Sequence, residues 1–276
     1  MKKKSLKKIL KKIFPQNEYN KLAPCLNLND YIGVYDNQKE LKINLSKKNM
    51  SQIIGDNDVK NEHVIAQIEK NRNLSDDFKN DKRETWTQRE TFLCNALTLF
   101  PSKKMNILDI GGGLRPCYFT LNYSLSQNIK CHVVEFENIV KGAKEIFSDI
   151  PNLTYSSEYP INEIFDVIYF GSSIQYFDDL DKIFNKIKNY QSKIIVFSYS
   201  PFAEEHTTFT TGAYTFHRKF ITPTTIYNIN QFIDYFSKKN YELINKSLSD
   251  VSNSPIQDSL GIKTRTYNLV FKKDIV

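Results

Sequence analysis

The sequence predicts an α/β protein with a Rossmann-like, mostly parallel sheet. From residue 101 onward, short apolar segments alternate with amphipathic helical patterns, which is typical of consecutive βαβ units. The first apolar segment is followed by Gly111, Gly112 and Gly113, which allow a tight turn and a close approach of the backbone to a ligand. In sheets of this class ligands bind at the carboxyl ends of the strands, and we expect the site residues there.

Helical spacing of apolar residues predicts helices over residues 84–100 and 224–238, with an irregular stretch rich in Thr, Tyr and His after residue 200. Two final segments, residues 241–248 and 266–271, are predicted to form an antiparallel hairpin at the sheet edge. Five apolar segments are predicted to be strands of the parallel sheet: residues 105–110, 130–135, 153–155, 165–170 and 193–198.

The chain is predicted to have three regions. Residues 101–276 form the α/β domain, and residues 15–100 form an N-terminal extension of loops and helices, with one helix around residues 62–68. Residues 1–14 form a short basic helix. No apolar run approaches the roughly 20 residues that span a bilayer, and the start lacks a secretory signal. These features predict a cytoplasmic protein.

The four cysteines, Cys25, Cys94, Cys117 and Cys131, are scattered and include no CxxC pair. Such spacing is typical neither of a disulfide framework nor of a zinc site. The cysteines are therefore predicted to be reduced and mostly buried, and no metal site is expected.

The first 14 residues contain seven lysines and no acidic residue. Without those lysines, 31 basic residues balance 31 acidic residues, so the rest of the chain is formally neutral and lacks the charge of a nucleic-acid-binding surface. A helix with one apolar face and one basic face is predicted to lie on an anionic membrane surface. A solvated tail and a nucleic-acid contact are the alternatives. The apolar face would hold Leu6, Ile9, Leu10, Ile13 and Phe14.

Asp109 lies at the end of the first predicted strand, two residues before the glycines, and Pro116 stands where a GxGxxG motif has its third glycine. A carboxylate at this strand end repels a pyrophosphate but attracts an ammonium group, such as that of a methionine moiety. S-adenosylmethionine carries that ammonium together with a sulfonium and no phosphate. The predicted cofactor is therefore S-adenosylmethionine, bound by Asp109 and the glycine turn, and a nicotinamide dinucleotide is disfavoured.

Glu135 ends the next predicted strand, 26 residues after Asp109. An acid in this position is placed to accept hydrogen bonds from both ribose hydroxyls of an adenosine. The adjacent Phe136 is predicted to pack on the adenine face, and Ser157 and Glu158 to meet the adenine edge. Each feature alone is often only structural, but three in the expected order favour a cofactor site.

Two longer segments, DIGGG at residues 109–113 and FDVIYFGSSIQYF at residues 165–177, resemble the motifs of class I S-adenosylmethionine-dependent methyltransferases. The chain also resembles a narrower bacterial methyltransferase family, often encoded in surface-polysaccharide gene clusters, over about residues 31–250. The narrower resemblance is carried by YIGVY at residues 31–35 and SSIQY at residues 172–176, together with IGGGL at 110–114, HVVE at 132–135 and SPF at 200–202.

This resemblance implies a methyltransferase that uses S-adenosylmethionine. Gln175 and Tyr176, after the fourth predicted strand, are predicted to line the methionine end of the cofactor, and Ser172 is a further cofactor-binding candidate. The resemblance also implies an acceptor in capsular or lipopolysaccharide biosynthesis, either a sugar hydroxyl or a phosphate-type substituent such as a phosphoramidate. Relatives tend to carry Arg-Thr-Pro at the end of the fifth strand. This chain has Tyr199-Ser200-Pro201 there, so the role of that arginine does not carry over.

Methyl transfer to a sugar hydroxyl needs a general base, whereas a phosphate-type oxygen is already anionic and needs none. Candidate bases follow the fifth predicted strand: His206, His217 and the pair Glu204 and Glu205. His206 is favoured over His217 because it lies closer in sequence to the strand end.

Other functions remain open to the sequence. A module that binds the cofactor or a partner without catalysis is compatible with it, because no single residue establishes catalysis. A nucleic-acid methyltransferase usually carries an Asn/Asp-Pro-Pro-aromatic motif after the fourth strand, to hold a flipped-out base. This chain has Gly171-Ser-Ser-Ile174 at that point, which makes nucleic acid the weaker interpretation.

Overall fold

The computed structural model describes residues 31–47, 68, 71, 88–100, 102, 104–125, 128–215, 220–249, 256 and 260–274. The predicted basic helix over residues 1–14 and His217 lie outside these residues. So does the predicted helix around residues 62–68, apart from the helical Ile68 at its end. No described helix is long and apolar enough to cross a membrane.

The strands are β1 (Tyr31–Tyr35), β2 (Lys104–Ile110), β3 (Asn128–Val134), β4 (Leu153–Ser156), β5 (Val167–Gly171), β6 (Ile194–Ala203), β7 (Phe209–Thr215), β8 (Phe220–Asn228), β9 (Tyr241–Leu248) and β10 (Thr264–Lys273). The helices are α1 (Gln38–Lys47), α2 (Gln88–Thr98), α3 (Cys117–Ser124), α4 (Glu137–Phe147), α5 (Leu180–Ile187) and α6 (Ile229–Ser237), with 3₁₀ turns at Ile174–Tyr176 and Lys188–Tyr190.

Five strands form the parallel part of the sheet, in the order β4-β3-β2-β5-β6. β2 lies at the centre, where Ile107 faces Cys131 of β3 on one side and Val167 of β5 on the other. Every residue of β5 is buried, as expected for a strand covered by helices on both faces. The mostly parallel sheet is confirmed. In four of the five predicted strands, each observed end lies within two residues of the predicted end. The fifth strand, β6, continues beyond its predicted end to Ala203.

Successive residues of these strands point to opposite faces and build two apolar layers. On one face, Ile107 and Val196 pack with residues of α2, α3 and α4. On the other, Leu108 and Phe197 pack with residues of α5 and α6. The Phe197 ring lies 5.0 Å from that of Phe232 on α6, measured between centroids. Helices therefore cover both faces of the sheet, as in Rossmann-like folds.

The C-terminal strands extend the sheet beyond β6. β9 and β10 pair antiparallel, and β10 also pairs antiparallel with β6, where Val270 faces Val196. The predicted C-terminal hairpin is thus confirmed, at the edge where it was expected.

The strands β1, β7 and β8 form an antiparallel group that we call the cap sheet. It joins the parallel sheet where Phe202 and Ala203 of β6 pair with Tyr227 and Asn228 of β8. β10 occupies the other edge of β6 at these residues. β8 therefore lies on the same edge as β5, just beyond the point where β5 ends at Gly171.

The cap sheet corrects two predictions. The stretch after residue 200 is not irregular, since it contains β7 and β8, and the predicted helix over residues 224–238 is wrong in its first part. Residues 224–228 belong to β8, rich in the Thr and Ile that favour strands. α6 begins at Ile229, because the Asn228 side chain accepts hydrogen bonds from the N–H groups of Asn230 and Gln231 and caps the helix.

The described part of the N-terminal extension consists of two helices and one strand. The helix predicted over residues 84–100 corresponds to α2, whose Leu93 and Leu97 pack in the main core. Leu41 of α1 packs with Ile221 of the cap sheet. β1 was not predicted from the sequence, and it forms the outer strand of the cap sheet by pairing with β7.

Candidate active site

The chain turns sharply at the three glycines after β2. Gly111 and Gly113 have φ values of +78° and +62°, a region that favours glycine. A Cβ on Gly111 would lie 2.6 Å from the Cβ of Ser173, so no larger residue fits without displacing it. A Cβ on Gly113 would meet no atom within 4 Å, which shows open space beside this part of the turn.

Asp109 lies beneath this turn and is 1% exposed. Its Oδ2 accepts a hydrogen bond of 2.9 Å from the Cys117 N–H, whereas its Oδ1 is buried and has no hydrogen-bond partner among the described residues. Burial raises the pKa of Asp109, although the Cys117 hydrogen bond and the charge of Arg89 act to lower it. Leaving a buried polar atom unpaired costs about 1–3 kcal/mol, and more for a charged group, so Oδ1 is suited to a ligand that donates to it.

Arg89 of α2 brings a guanidinium to the carboxyl end of β5. Its Nη1 donates to the Gly171 carbonyl at 3.1 Å, and its Nη2 lies 2.6 Å from Oε1 of Glu90. The side chain is held by these partners but is still 26% exposed, so a ligand can reach it. The sequence did not single out Arg89. An arginine near a helix start is usually solvated, and only the packing of α2 brings it to the site.

Glu135 follows the end of β3, next to the glycine turn. Its Oε1 accepts a hydrogen bond of 3.1 Å from the Gly113 N–H, and its Oε2 accepts one of 2.9 Å from the Phe136 N–H. Burial raises the pKa of Glu135, while these two hydrogen bonds act to lower it. The Phe136 side chain is 41% exposed, and Ser157 and Glu158 are exposed in the turn after β4. The predicted order along the strand ends is therefore present.

Ser172, Gln175 and Tyr176 lie in the segment after β5. Ser172 has a φ of +59°, which is uncommon outside glycine and is held by a hydrogen bond of 2.8 Å from its N–H to the Ser198 carbonyl. Gln175 is buried, and its Nε2 donates to the Ser172 carbonyl at 2.7 Å, while its Oε1 has no hydrogen-bond partner within the described part of the chain. The Tyr176 side chain is exposed.

The cap sheet and α1 contact this same segment. The Tyr227 hydroxyl donates to the Phe177 carbonyl at 2.6 Å, and Nε2 of Gln38 lies 3.4 Å from the Tyr176 carbonyl. Burial raises the pKa of Tyr31 on β1 to about 12, with a smaller effect from Tyr176 in the same direction. The N-terminal segment and the turn after β5, far apart in sequence, are thus close in space.

A cleft of about 460 Å³ opens between the segment after β5 and the turn after β6. Its lining includes Asp178, Thr208, Tyr227, Gln231 and Tyr235. The cleft is a candidate entry for an acceptor, because it lies between two of the loops that follow parallel strands.

The predicted bases differ in their surroundings. His206 is exposed, two residues before Thr208 of the cleft lining, with its Nδ1 2.9 Å from the Thr207 carbonyl. Glu204 and Glu205 both form ion pairs with Lys263, at 3.2 Å and 2.8 Å. Among these three residues, His206 is therefore the one without an ion pair to a described residue.

Two of the scattered cysteines come together with Asp109. One carboxylate oxygen of Asp109 and the Sγ atoms of Cys117 and Cys131 lie within 4.8 Å of one another, and all three residues are buried. Burial raises the pKa of Cys117 well above its usual value. The spacing of cysteines in the sequence did not predict this grouping, because one residue begins α3 and the other lies on β3.

Comparison with known proteins identifies the fold. No family model and no curated protein matches the chain. A proposed sarcosine dimethylglycine methyltransferase from Galdieria sulphuraria matches with a TM-score of 0.51 and 11% identity, over 67% of this chain and 85% of that protein. An S-adenosylmethionine-dependent methyltransferase from Clostridium acetobutylicum matches with a TM-score of 0.46 and 13% identity, over 75% and 99% of the two chains.

A third similar structure is the 1,6-didemethyltoxoflavin-N1-methyltransferase of Burkholderia thailandensis, crystallised with S-adenosylhomocysteine. Its TM-score is 0.45 and its identity 12%, over 77% of this chain and 90% of that one. At identities this low the likeness concerns the fold. The match to the Galdieria protein and the order of the parallel strands show that the chain has a mostly parallel Rossmann-like fold similar to that of this methyltransferase.

Proposed function

We propose that the protein is an S-adenosylmethionine-dependent methyltransferase. The observation that carries this proposal is the unpaired, buried Oδ1 of Asp109 near the guanidinium of Arg89. A methionine moiety presents an ammonium and a carboxylate on one carbon, and these two side chains offer one partner for each. A pyrophosphate would instead meet the Asp109 carboxylate.

The charges of the site support a cationic ligand. One guanidinium, on Arg89, faces two carboxylates, on Glu90 and Asp109, so this group carries a net charge of −1 when all three are ionised. S-adenosylmethionine carries one ammonium, one carboxylate and one sulfonium, a net charge of +1. Because buried charges are favourable only when they are balanced, a ligand of this charge stabilises the site.

The other residues fit the remainder of the same cofactor. The carboxylate of Glu135 would accept hydrogen bonds from the ribose hydroxyls, using lone pairs that the Gly113 and Phe136 N–H groups do not occupy. The exposed Phe136 ring would pack on the adenine. When bound, the cofactor supplies a methyl group on a sulfonium, which passes to a lone pair of the acceptor. The protein aligns the two partners, and alignment is worth up to about 7–11 kcal/mol.

Binding of two ligands tests the cofactor proposal. S-adenosylhomocysteine has the amino-acid moiety, whereas 5′-methylthioadenosine has the same nucleoside without it. Titration calorimetry should show that Glu135→Ala weakens both ligands, and that Asp109→Ala and Arg89→Met weaken only S-adenosylhomocysteine, by about 1–3 kcal/mol each. NAD should not bind. Tight NAD binding, or equal effects of all three variants on both ligands, would contradict the proposal.

We further propose that the acceptor is a sugar hydroxyl or a phosphate-type substituent, such as a phosphoramidate, of a bacterial capsular or lipopolysaccharide chain. The resemblance of residues 31–35 and 172–176 to a methyltransferase family of surface-polysaccharide gene clusters supports this acceptor. These two segments come close together through the cap sheet and α1. The protein would then act on a glycan, not on nucleic acid.

Mass spectrometry of surface glycans from wild-type and deletion strains tests the acceptor. We expect one methyl group to be lost on deletion and restored by the wild-type gene. Turnover to S-adenosylhomocysteine with cell-envelope precursors separates this enzyme from a binding module, which would give none. Unchanged glycans in the deletion strain would exclude the proposed acceptor and leave the cofactor proposal standing.

A further inference from the structure

We propose that Asp109, Cys117 and Cys131 form a buried binding site for a thiophilic divalent cation of the zinc type. Their candidate ligand atoms, one carboxylate oxygen and two sulfurs, lie within 4.8 Å of one another. Cys131 is held on β3 opposite Ile107 of β2, and Cys117 is the first residue of α3. Packed secondary structure therefore fixes all three residues, and the donor set matches that of zinc sites.

The Asp109 carboxylate provides an independent indication of a ligand. Oδ2 is bonded to the Cys117 N–H, but Oδ1 is buried without a partner. Zinc bonds of about 2.3 Å to sulfur and about 2.0–2.2 Å to oxygen place tetrahedral ligands about 3.5–3.8 Å apart. The three donors therefore need to close by at most about 1.3 Å to reach this spacing. The fourth coordination position is left for water or a small ligand.

Binding of the ion has a simple proton balance. Two metal–sulfur bonds form, both thiol protons pass to solvent, and no electron is transferred. Two thiolates, one carboxylate and one divalent cation leave a charge of −1, and Arg89 and Glu90 are the charged neighbours that act on Asp109. The ion offsets two of the three negative charges of its ligands.

The ion and the proposed cofactor both use the Asp109 carboxylate. If the ammonium of S-adenosylmethionine and the ion take the same oxygen of that carboxylate, the ion excludes the methionine end. Zinc-type ions would then inhibit the enzyme by preventing cofactor binding. This competition rests on the proposed function, whereas the metal site itself does not.

Cadmium titration of the full, reduced chain tests the site, since thiolate-to-cadmium charge transfer absorbs in the ultraviolet. We expect one ion per chain. Removing a residue that only hydrogen-bonds to a metal ligand weakens metal binding by about 10–100-fold. Cys117→Ser and Cys131→Ser remove ligands themselves, so each should weaken cadmium binding at least that much. The matched controls Cys94→Ser and Cys25→Ser should leave the titration unchanged. Equal titrations of all four variants would overturn the proposal.

A double variant, Cys25→Ser with Cys94→Ser, keeps the test decisive if a site variant fails to fold. The chain has four cysteines, so this variant retains only Cys117 and Cys131. A charge-transfer band of two thiolates per cadmium supports the site. A folded double variant without that band overturns it.

Competition is measured by the same titration in S-adenosylhomocysteine at about 100 times its Kd. Exclusion predicts that the apparent Kd for cadmium rises about 100-fold. An unchanged cadmium Kd, with normal S-adenosylhomocysteine binding in metal-free buffer, would overturn the competition alone. A lack of S-adenosylhomocysteine binding in that buffer would instead count against the proposed function.

Discussion

Among single residues, Asp109 combines burial with a carboxylate oxygen that has no hydrogen-bond partner in the described ranges. Burial raises its pKa, so its ionised form is less stable in the folded than in the unfolded chain. By linkage, the ligand-free protein loses stability as the pH rises from the unfolded-state pKa, about 3.9, through the raised folded-state pKa. We expect Asp109→Asn to raise the unfolding temperature of the ligand-free protein at neutral pH while weakening S-adenosylhomocysteine binding.

Scanning calorimetry with and without S-adenosylhomocysteine measures both effects of Asp109→Asn. Asp234→Asn is the control, because Asp234 is an exposed residue of α6. It should change neither the unfolding temperature nor the affinity. If, without ligand, the Asp109→Asn protein is less stable than the wild type, then the hydrogen bonds and charges around the carboxylate already stabilise its ionised form.

Substitution of His206 distinguishes a hydroxyl acceptor from a phosphate-type acceptor. If the acceptor is a hydroxyl, His206→Ala should lower kcat by about 10²-fold or more and flatten the acid limb of the pH profile, because the base is lost. If the acceptor is a phosphate-type anion, the variant should keep its activity. Steady-state kinetics over a pH range measures this, and a fully active variant on a sugar hydroxyl means that another residue is the base.

Some of the site residues could be predicted from the sequence and others could not. The glycine turn, Asp109 and Glu135 follow apolar strands directly, so their places at the strand ends could be predicted. Arg89 and the pairing of Cys117 with Cys131 could not, because they depend on how helices pack against the sheet. A local pattern says nothing about that packing.

Among the elements, α6 depends most on aromatic packing. The Phe232 ring is buried, with centroids 5.0 Å from those of Phe197 and Phe202. Phe232→Ala leaves a cavity between α6 and the sheet, and we expect it to lower the free energy of unfolding by about 3–5 kcal/mol. Urea denaturation measures the change. The exposed neighbour Asp234→Ala should stay within about 0.5 kcal/mol of the wild type, and a similar value for Phe232→Ala would contradict this account.

The elements also show where sequence periodicity fails. Strands β2 to β6 were predicted because buried parallel strands are short, continuous apolar runs. β7 and β8 were missed because they are rich in Thr, and part of β8 was assigned to a helix. Ile226 on β8 precedes Ile229 on α6 by three residues, so the spacing across the junction imitates one helical turn. Only the cap at Asn228 separates the two elements.

For the whole molecule, the basic segment of residues 1–14 remains a prediction from sequence. Its apolar face would enter the headgroup boundary of a membrane, and each lysine near an anionic surface contributes about 1 kcal/mol, screened beyond a Debye length. We expect reversible attachment to the inner face of the membrane. Liposome co-sedimentation should need anionic lipid, fade at high salt and vanish when residues 1–14 are deleted.

Deletion of residues 1–14 has a matched expectation for catalysis. Methyl transfer to a soluble acceptor should survive, because the site residues all lie beyond this segment. Equal sedimentation of the full-length and shortened proteins would refute the membrane role. A shortened protein that is active but binds no liposomes at any salt concentration would support it.

The strand β6 has a consequence for how the two ligands influence each other. The Ser198 carbonyl accepts a hydrogen bond from the Ser172 N–H in the turn after β5, and the next residue, Tyr199, has a φ of +56°. Ala203, five residues after Ser198, pairs with the cap sheet. One backbone therefore runs from the cofactor edge to the acceptor side. We expect heterotropic cooperativity between cofactor and acceptor. By reciprocity, the factor by which the cofactor changes the acceptor's affinity must equal the factor by which the acceptor changes the cofactor's.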